Sequence, residues 1–212
     1  MNIVSVAIGK KYHTEVERLQ RSLPLPVNVF TEENLKYERI HDSDLINGLY
    51  HKTNLGNYFD FEKDTPVIFC DADMFTLVKD PFKTFKIKEE TDFAYVPYVG
   101  KWHFPDKIRK ECFDYHGHKI NSGFMYFKDI DTAKKVSDVW SEAYKDRIKL
   151  YDVTRGLVNE YDEYALMIGL MEIDLNIELL DSKWNEWTLN EKEDILKSNS
   201  IFFQSHNYLN IV

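Results

Sequence analysis

Two carboxylates one residue apart, Asp71 and Asp73, follow directly on the apolar run Pro66-Val67-Ile68-Phe69-Cys70. A run of that length and composition reads as a buried strand, so the pair is delivered to the place where the strand ends. Alternation along an extended chain predicts that Asp71 and Asp73 project to one side and Ala72 to the other. Two like charges about 4 Å apart repel by roughly 4 kcal/mol at a surface-like effective dielectric. A hard divalent cation held through oxygen ligands relieves that repulsion and also neutralises a phosphate-bearing ligand. The other reading of the pair is two solvated turn carboxylates.

Three further groups of residues could do chemistry. Asn121-Ser122-Gly123 opens the strand Phe124-Met125-Tyr126-Phe127, which puts small polar groups and a backbone without Cβ at its mouth. A substrate could approach the main chain closely there, although an ordinary turn would show the same residues. Asp162 and Glu163 open a helical stretch, where two acids also suit the helix dipole without any further role. His206 follows the apolar Phe202-Phe203, and its imidazole could complete a metal shell with the two aspartates or act only as a hydrogen-bonding residue. Trp184 and Trp187 read as packing residues, with a sugar-stacking platform as the alternative. The eight glycines are scattered, with neither G-x-G-x-x-G after the first strand nor a phosphate-cradling P-loop. H-E-x-x-H and a nucleophile elbow are absent as well.

The elements that must position these groups can be read from periodicity. Residues 2–8 form an apolar strand, and Tyr12, Val16 and Leu19 give a helical stripe that stops before Pro24 and Pro26. Residues 27–31 make a second strand. Asp42-Ser43-Asp44 is placed to cap a helix with Leu45, Ile46, Leu49 and Tyr50 on one face and Lys52 near its middle. The third strand carries the aspartate pair, and residues 93–96 make another strand. An irregular segment over about 98–118 precedes extended residues 120–127. Asp131 caps a helix through Tyr144, and a shorter helix covers about 161–172. Strands near 175–180 and 200–205 flank a short helix over 191–198. Alternating strands and helices predict a single α/β layered domain over residues 1–212, with no repeat, low-complexity tract or linker to divide it.

At 212 residues, 43% hydrophobic and 15% aromatic, the chain can bury a real core. A formal charge of -9 argues against general nucleic-acid binding or adsorption to an anionic membrane. Cys70 and Cys112 have neither metal-ligand nor disulfide-framework spacing, which suits a reducing compartment. The first residues lack a cationic leader, and no apolar stretch approaches the roughly 18 residues of a spanning helix. A cytoplasmic location and no membrane contact are therefore expected.

Taken in order, the strand ending in Asp71-Ala72-Asp73, Asn121-Ser122-Gly123, Asp162-Glu163, Lys183-Trp184-Asn185 and His206 resemble the GT-A glycosyltransferases, and most of all glycosyltransferase family 8. The resemblance spans nearly the whole chain. It implies a GT-A-like, Rossmann-like α/β fold with a central mixed sheet flanked by helices. It also implies a nucleotide-sugar donor, usually a UDP-sugar, with Mn2+ or Mg2+ bridging the diphosphate. On this reading Ala7, Gly9 and Tyr12 would line the nucleotide pocket, with Thr31 and Lys52 nearby. Asp71 would contact ribose and metal, Asp73 the metal, and His206 the metal or diphosphate. Asn121, Ser122 and Gly123 would line the sugar and acceptor side, while Asp162 and Glu163 would hold donor-sugar hydroxyls. The family's tail, a histidine followed by glycine and then Lys-Pro-Trp, does not follow His206. Resemblance favours retention of anomeric configuration; an inverting enzyme would use Asp162 or Glu163 as the base.

Residues 101–119 differ from the rest of this acidic chain. Lys101, Lys107, Arg109, Lys110 and Lys119 are interleaved with Trp102, Phe104, Phe113 and Tyr115 and with His103, His116 and His118. That pattern suits a phosphate- or nucleobase-bearing acceptor, such as a modified DNA base glycosylated in the host cytoplasm by a bacteriophage enzyme. A solvated loop over a small sugar acceptor or glycan is the other reading. Two competing classes share the aspartate pair. One is a haloacid-dehalogenase-like phosphatase with Asp71 as nucleophile and Asp73 as acid/base, and the other a non-catalytic nucleotide-sugar binding protein.

Overall fold

The computed structural model describes residues 1–35, 38–98, 107–154, 161–186 and 192–204, with backbone alone at 107–109, 147–154, 161 and 192–193. The elements are β1 (Asn2–Val6), α1 (Lys10–Ser22), β2 (Val27–Phe30), α2 (Asp44–Thr53), β3 (Val67–Cys70), β4 (Met74–Thr76) and β5 (Phe93–Pro97). They continue with α3 (Lys107–His116), β6 (Ile120–Phe127), α4 (Ile130–Thr154), α5 (Tyr161–Leu170), β7 (Ile177–Leu179), α6 (Lys192–Lys197) and β8 (Phe202–Gln204). Six strands form one mixed sheet in the order β2-β1-β3-β6-β5-β7, and β4 pairs with β8 in a separate ribbon. Within the large sheet β6 alone runs against its neighbours β3 and β5, while β1, β2 and β3 are parallel, as are β5 and β7.

The central strands are apolar on both faces because helices cover both. Alternate residues of β3 divide between two cores: Val67 and Phe69 pack with Trp140, Ala165 and Leu166 of α4 and α5, while Ile68 and Cys70 pack with Val16 and Leu19 of α1. The same division holds along β5, with Phe93 and Tyr95 on one side and Ala94 and Val96 on the other. Fully burying a side chain of this size contributes about 1.5–3 kcal/mol. The continuous apolar runs in the sequence therefore mark central strands and not edges.

Several local expectations change. Residues 107–116, expected to be irregular, form α3. The cap of α4 is Asp129, whose carboxylate accepts from the Thr132 amide at 2.7 Å. Asp131 instead lies in the first turn and pairs with the exposed Lys63 at 2.7 Å. Ser43 holds the capping position of α2 without a side-chain bond; Asn47 ties the entry instead, accepting from the Ile40 amide and donating to the Ser43 carbonyl. Lys52 belongs to the last turn of α2, not its middle. Among the described residues no helix is long and apolar enough to cross a membrane.

Candidate functional site

The reversed strand β6 builds the site. Its register against β3 pairs Cys70 with Phe124, and the next amide, of Asp71, donates to the Gly123 carbonyl at 2.8 Å. The start of β6 therefore lies beside the carboxyl end of β3, the edge where open α/β sheets place their ligands. Asn121, Ser122 and Gly123 lie in the first half of β6, as the extended reading of 120–127 expects. Asp71-Ala72-Asp73, in contrast, is not a continuation of strand. The chain turns at Asp71, with the Met74 amide donating back to the Asp71 carbonyl at 3.1 Å, and then enters β4. Turn geometry, in place of strand alternation, brings the two carboxylates to one side.

The ribbon of β4 and β8 closes on that turn. Its register sets Gln204 opposite Met74, and the Gln204 Nε2 lies 3.2 Å from Asp71 Oδ2 and 3.3 and 3.5 Å from the two Asp73 oxygens. Phe75 and Phe203 stack at 5.6 Å and fix the ribbon. The backbone of the turn is held from below: buried Arg18 donates from Nη2 to the Asp73 carbonyl at 2.7 Å, pairs with Glu15 at 2.8 Å and lies over the Phe75 ring. Among the described residues no group of three His, Cys, Asp or Glu side chains gathers to hold a metal.

Lys52 joins this turn to α5. Its Nζ is 2.8 Å from Asp71 Oδ1, 3.2 Å from Asp162 Oδ2 and 3.0 Å from Ser122 Oγ. Ser122 in turn donates to Asp162 at 2.9 Å, and the Trp140 indole donates to the Asp162 carbonyl at 2.6 Å, fixing the start of α5 against α4. Burial works against the Lys52 charge, but Asp71 and Asp162 more than offset it and hold the ammonium above its usual range. Burial, opposed by Lys52 and reinforced by Asp73, pushes the Asp71 carboxyl up to about 6. Glu163 pairs with the buried Lys119 at 2.7 Å. Burial, opposed by Lys119 and reinforced by Asp162, pushes the Glu163 carboxyl up to about 7. Lys52, Asp71, Ser122, Asp162 and Glu163 line one cavity of about 340 Å³, together with Asp73, Asn121, Gln204, Ile8, Tyr12, Gly48 and Leu49. That volume falls at the small end of the range for small-molecule sites.

The sequence-selected residues divide. Tyr12, Lys52, Asp71, Asp73, Asn121, Ser122, Asp162 and Glu163 share the cavity; burial and then Asp73 and Asp71 raise the Tyr12 phenol above its usual range. Ala7, Gly9, Thr31 and Gly123 are not in its lining. The Ala7 methyl packs in the core on the α1 side, and its amide donates to the Phe30 carbonyl. Gly9, at φ 90, starts α1 and gives its amide to Glu32. Thr31 lies just past β2, where its amide donates to Asn34. Gly123 acts by its missing Cβ, which would lie 2.4 Å from Asn185 Nδ2 and 2.8 Å from Gln204 Oε1. His206 and Trp187 lie outside the described residues. Trp184 is a packing residue, its ring 4.8 Å from that of Phe85.

The described basic groups of the 101–119 segment have partners within the chain, Lys110 at the surface and the other three against the fold. Lys110 pairs with Asp114, His116 bonds the Met167 carbonyl, His118 bonds the Tyr95 hydroxyl, and Lys119 pairs with Glu163. His116, His118 and Lys119 serve the fold, while Lys110 stays largely exposed; residues 101–106 lie outside the described part.

Gln204 and Arg18 belong to no motif selected from the sequence, and Asn185 enters there only within Lys183-Trp184-Asn185. Gln204 carried one available signal, its place at the end of a short apolar strand, which had been credited to His206. Arg18 stands three residues after Glu15 among the residues of α1, where nothing in the local sequence marks it as buried. Asn185 donates from Nδ2 to Asn121 Oδ1 at 2.7 Å, while its own buried Oδ1 has no hydrogen-bond partner among the described residues.

Comparison of the sequence finds no matching family model and no matching curated protein. Comparison of the structure does find relatives. A glycosyltransferase involved in the glycosylation of the major capsid of PBCV-1 superposes with a TM-score of 0.62 at 9% identity, over 100% of each chain. The galactosyltransferase LgtC, in complex with donor and acceptor sugar analogs, gives 0.57 at 12% identity, over 96% of this chain and 86% of that one. Mouse xyloside xylosyltransferase 1, in its apo form, gives 0.52 at 10% identity, over 100% of this chain and 99% of the other. The chain has the α/β fold of the GT-A glycosyltransferases, with a central six-stranded mixed sheet flanked by helices.

Proposed function

We propose that the chain is a metal-dependent glycosyltransferase that moves a sugar from a nucleotide-diphosphate donor, a UDP-sugar, to an acceptor hydroxyl. One observation carries the reading: Asp71 and Asp73 converge on a single point beside Lys52, Ser122 and Asp162, inside a cavity at the carboxyl edge of the sheet. The residues present fit a divalent cation, because two carboxylates aimed at one point form the oxygen donor set that Mn2+ or Mg2+ takes. Bound there, such a cation supplies Lewis-acid stabilisation of the charge that grows on the departing diphosphate.

The remaining work falls to the chain itself. Tyr12 and Ile8 provide an aromatic and an apolar wall for the base and ribose. Lys52 fixes the orientation of Asp71 and Asp162 at once, so the metal-holding and sugar-holding parts of the site keep one geometry. Asp162 and Glu163, with Asn121 and Ser122, hold donor-sugar hydroxyls. Glu163, poised near neutrality, is the carboxylate able to take the acceptor proton if the reaction inverts configuration. The inward pairing of His116, His118 and Lys119 favours a sugar hydroxyl over DNA as acceptor.

Incubating the protein with Mn2+ and a panel of nucleotide sugars tests the reading, with release of nucleoside diphosphate as the expected result. Donor binding without release would instead make the chain a nucleotide-sugar binding protein. Phosphate release from a phosphomonoester would favour the phosphatase class. The anomeric proton of fresh product, read by NMR, assigns the stereochemistry.

A further inference from the structure

Two carboxylates leave room for a further protein ligand on a cation, and among the described residues no histidine or third carboxylate gathers with the pair to hold a metal; Asp162 is bound to Lys52 and Ser122. The described residues do offer an amide. Gln204 Nε2 lies 3.2 Å from Asp71 Oδ2 and 3.3 Å from Asp73 Oδ1. Neighbouring ligands of an octahedral cation bonded at about 2.1 Å are themselves about 3 Å apart, so the amide end stands at ligand spacing from both carboxylates. The two ends of a glutamine amide are nearly identical in shape, and a half-turn of the terminal bond exchanges N for O. With nitrogen inward, the amide damps the repulsion between the carboxylates. With oxygen inward, three oxygens face one point.

The surroundings hold this side chain in place. The β4–β8 register sets Gln204 opposite Met74, the residue that follows Asp73. Gly123 clears the space for the amide, since a Cβ there would lie 2.8 Å from Gln204 Oε1.

Resting on the glycosyltransferase reading, we infer that Gln204 is a third protein ligand of the cation through its amide oxygen, and that the resulting all-oxygen site accepts Mg2+ as readily as Mn2+ while disfavouring Zn2+. Carboxylate and carbonyl oxygens suit Mg2+ and Mn2+, whereas an imidazole nitrogen shifts a site toward Zn2+ and its neighbours.

Calorimetric titration of the full chain with Mn2+, Mg2+ and Zn2+, each with UDP present, tests this without any turnover readout. The wild type is expected to bind Mn2+ and Mg2+ within about tenfold of each other. Gln204→Ala should weaken Mn2+ at least tenfold. Gln204→His should weaken Mg2+ and tighten Zn2+ by at least tenfold each. If Gln204→Ala does not fold, the Gln204→His selectivity decides, because it can change only if side chain 204 reaches the cation. Unaltered selectivity in Gln204→His would overturn the inference while leaving the transferase reading intact. A wild type that binds no divalent cation with UDP would bring down both.

Discussion

Lys52 Nζ and Asp71 Oδ1 lie 2.8 Å apart in a setting where the lysine side chain is only 6% exposed. Removing one member of a buried ion pair leaves the other uncompensated, at a cost of about 3 kcal/mol or more. Here two carboxylates, Asp71 and Asp162, would be orphaned together. Lys52→Met is therefore expected to lower the unfolding free energy by about 3 kcal/mol at pH 8. The loss should shrink at pH 5, where the orphaned acids can protonate. Urea melts at the two pH values measure both, and an equal loss at each would count against the ion-pair account.

Asp73 separates metal chemistry from folding. Arg18 grips its backbone carbonyl, a bond that does not need the side-chain charge, so the turn survives loss of that charge. Asp73→Asn is expected to melt within a few degrees of the wild type and to lose Mn2+-dependent donor turnover by about 100-fold, equivalent to about 2.7 kcal/mol. Circular dichroism melts and a nucleotide-release assay read the two halves. Full turnover in the folded variant would remove the aspartate from the cation site.

Gly123 makes a steric prediction. A methyl group at this position meets Asn185 and Gln204 at 2.4 and 2.8 Å; Gln204 is held in the β4–β8 ladder and Asn185 by its bond to Asn121. Gly123→Ala is expected to cost about 1–3 kcal/mol, as overpacking does, and to weaken divalent-cation binding by displacing Gln204. Thermal melts with and without Mn2+ and UDP check this. A variant stabilised by those ligands as much as the wild type would show that the neighbours give way.

Glu163 sets a pH dependence. Its carboxyl is held at about 7 in the folded chain against an ordinary value of 4.5, so the folded state binds that proton more tightly than the unfolded state does. The associated stability is complete below pH 4.5 and is lost as pH rises through about 7, on the order of 3 kcal/mol for the full shift. Asp71, raised to about 6, acts in the same direction. The urea midpoint of the wild type should fall between pH 5 and pH 8, and Glu163→Gln should flatten that fall. A slope unchanged by the substitution would place its origin elsewhere.

Sequence by itself determined the strands that are apolar on both faces, the helical stripes of α1, α2 and α4, and the aspartate pair at the end of β3. Those signals are local: burial on two faces writes a continuous apolar run, and a covered helix writes a period of 3.6, whatever lies across the sheet. The small polar group at 121–123 and the acids at 162–163 were legible as candidates for the same reason. Their meeting was not. Asp71 reaches Gln204 across 133 residues and Lys52 reaches Ser122 across 70, through the reversal of β6 and the β4–β8 register, which no periodicity encodes. α3 was missed because its mixed aromatic and charged residues write no clear apolar stripe. Tertiary structure alone decided that a turn, and not strand alternation, aligns Asp71 with Asp73, that Lys119 serves Glu163 instead of a phosphate, and that Gln204 faces the pair. Each of these depends on which distant strand supplies the neighbour, and pairing between distant strands is fixed by the packing of the whole sheet.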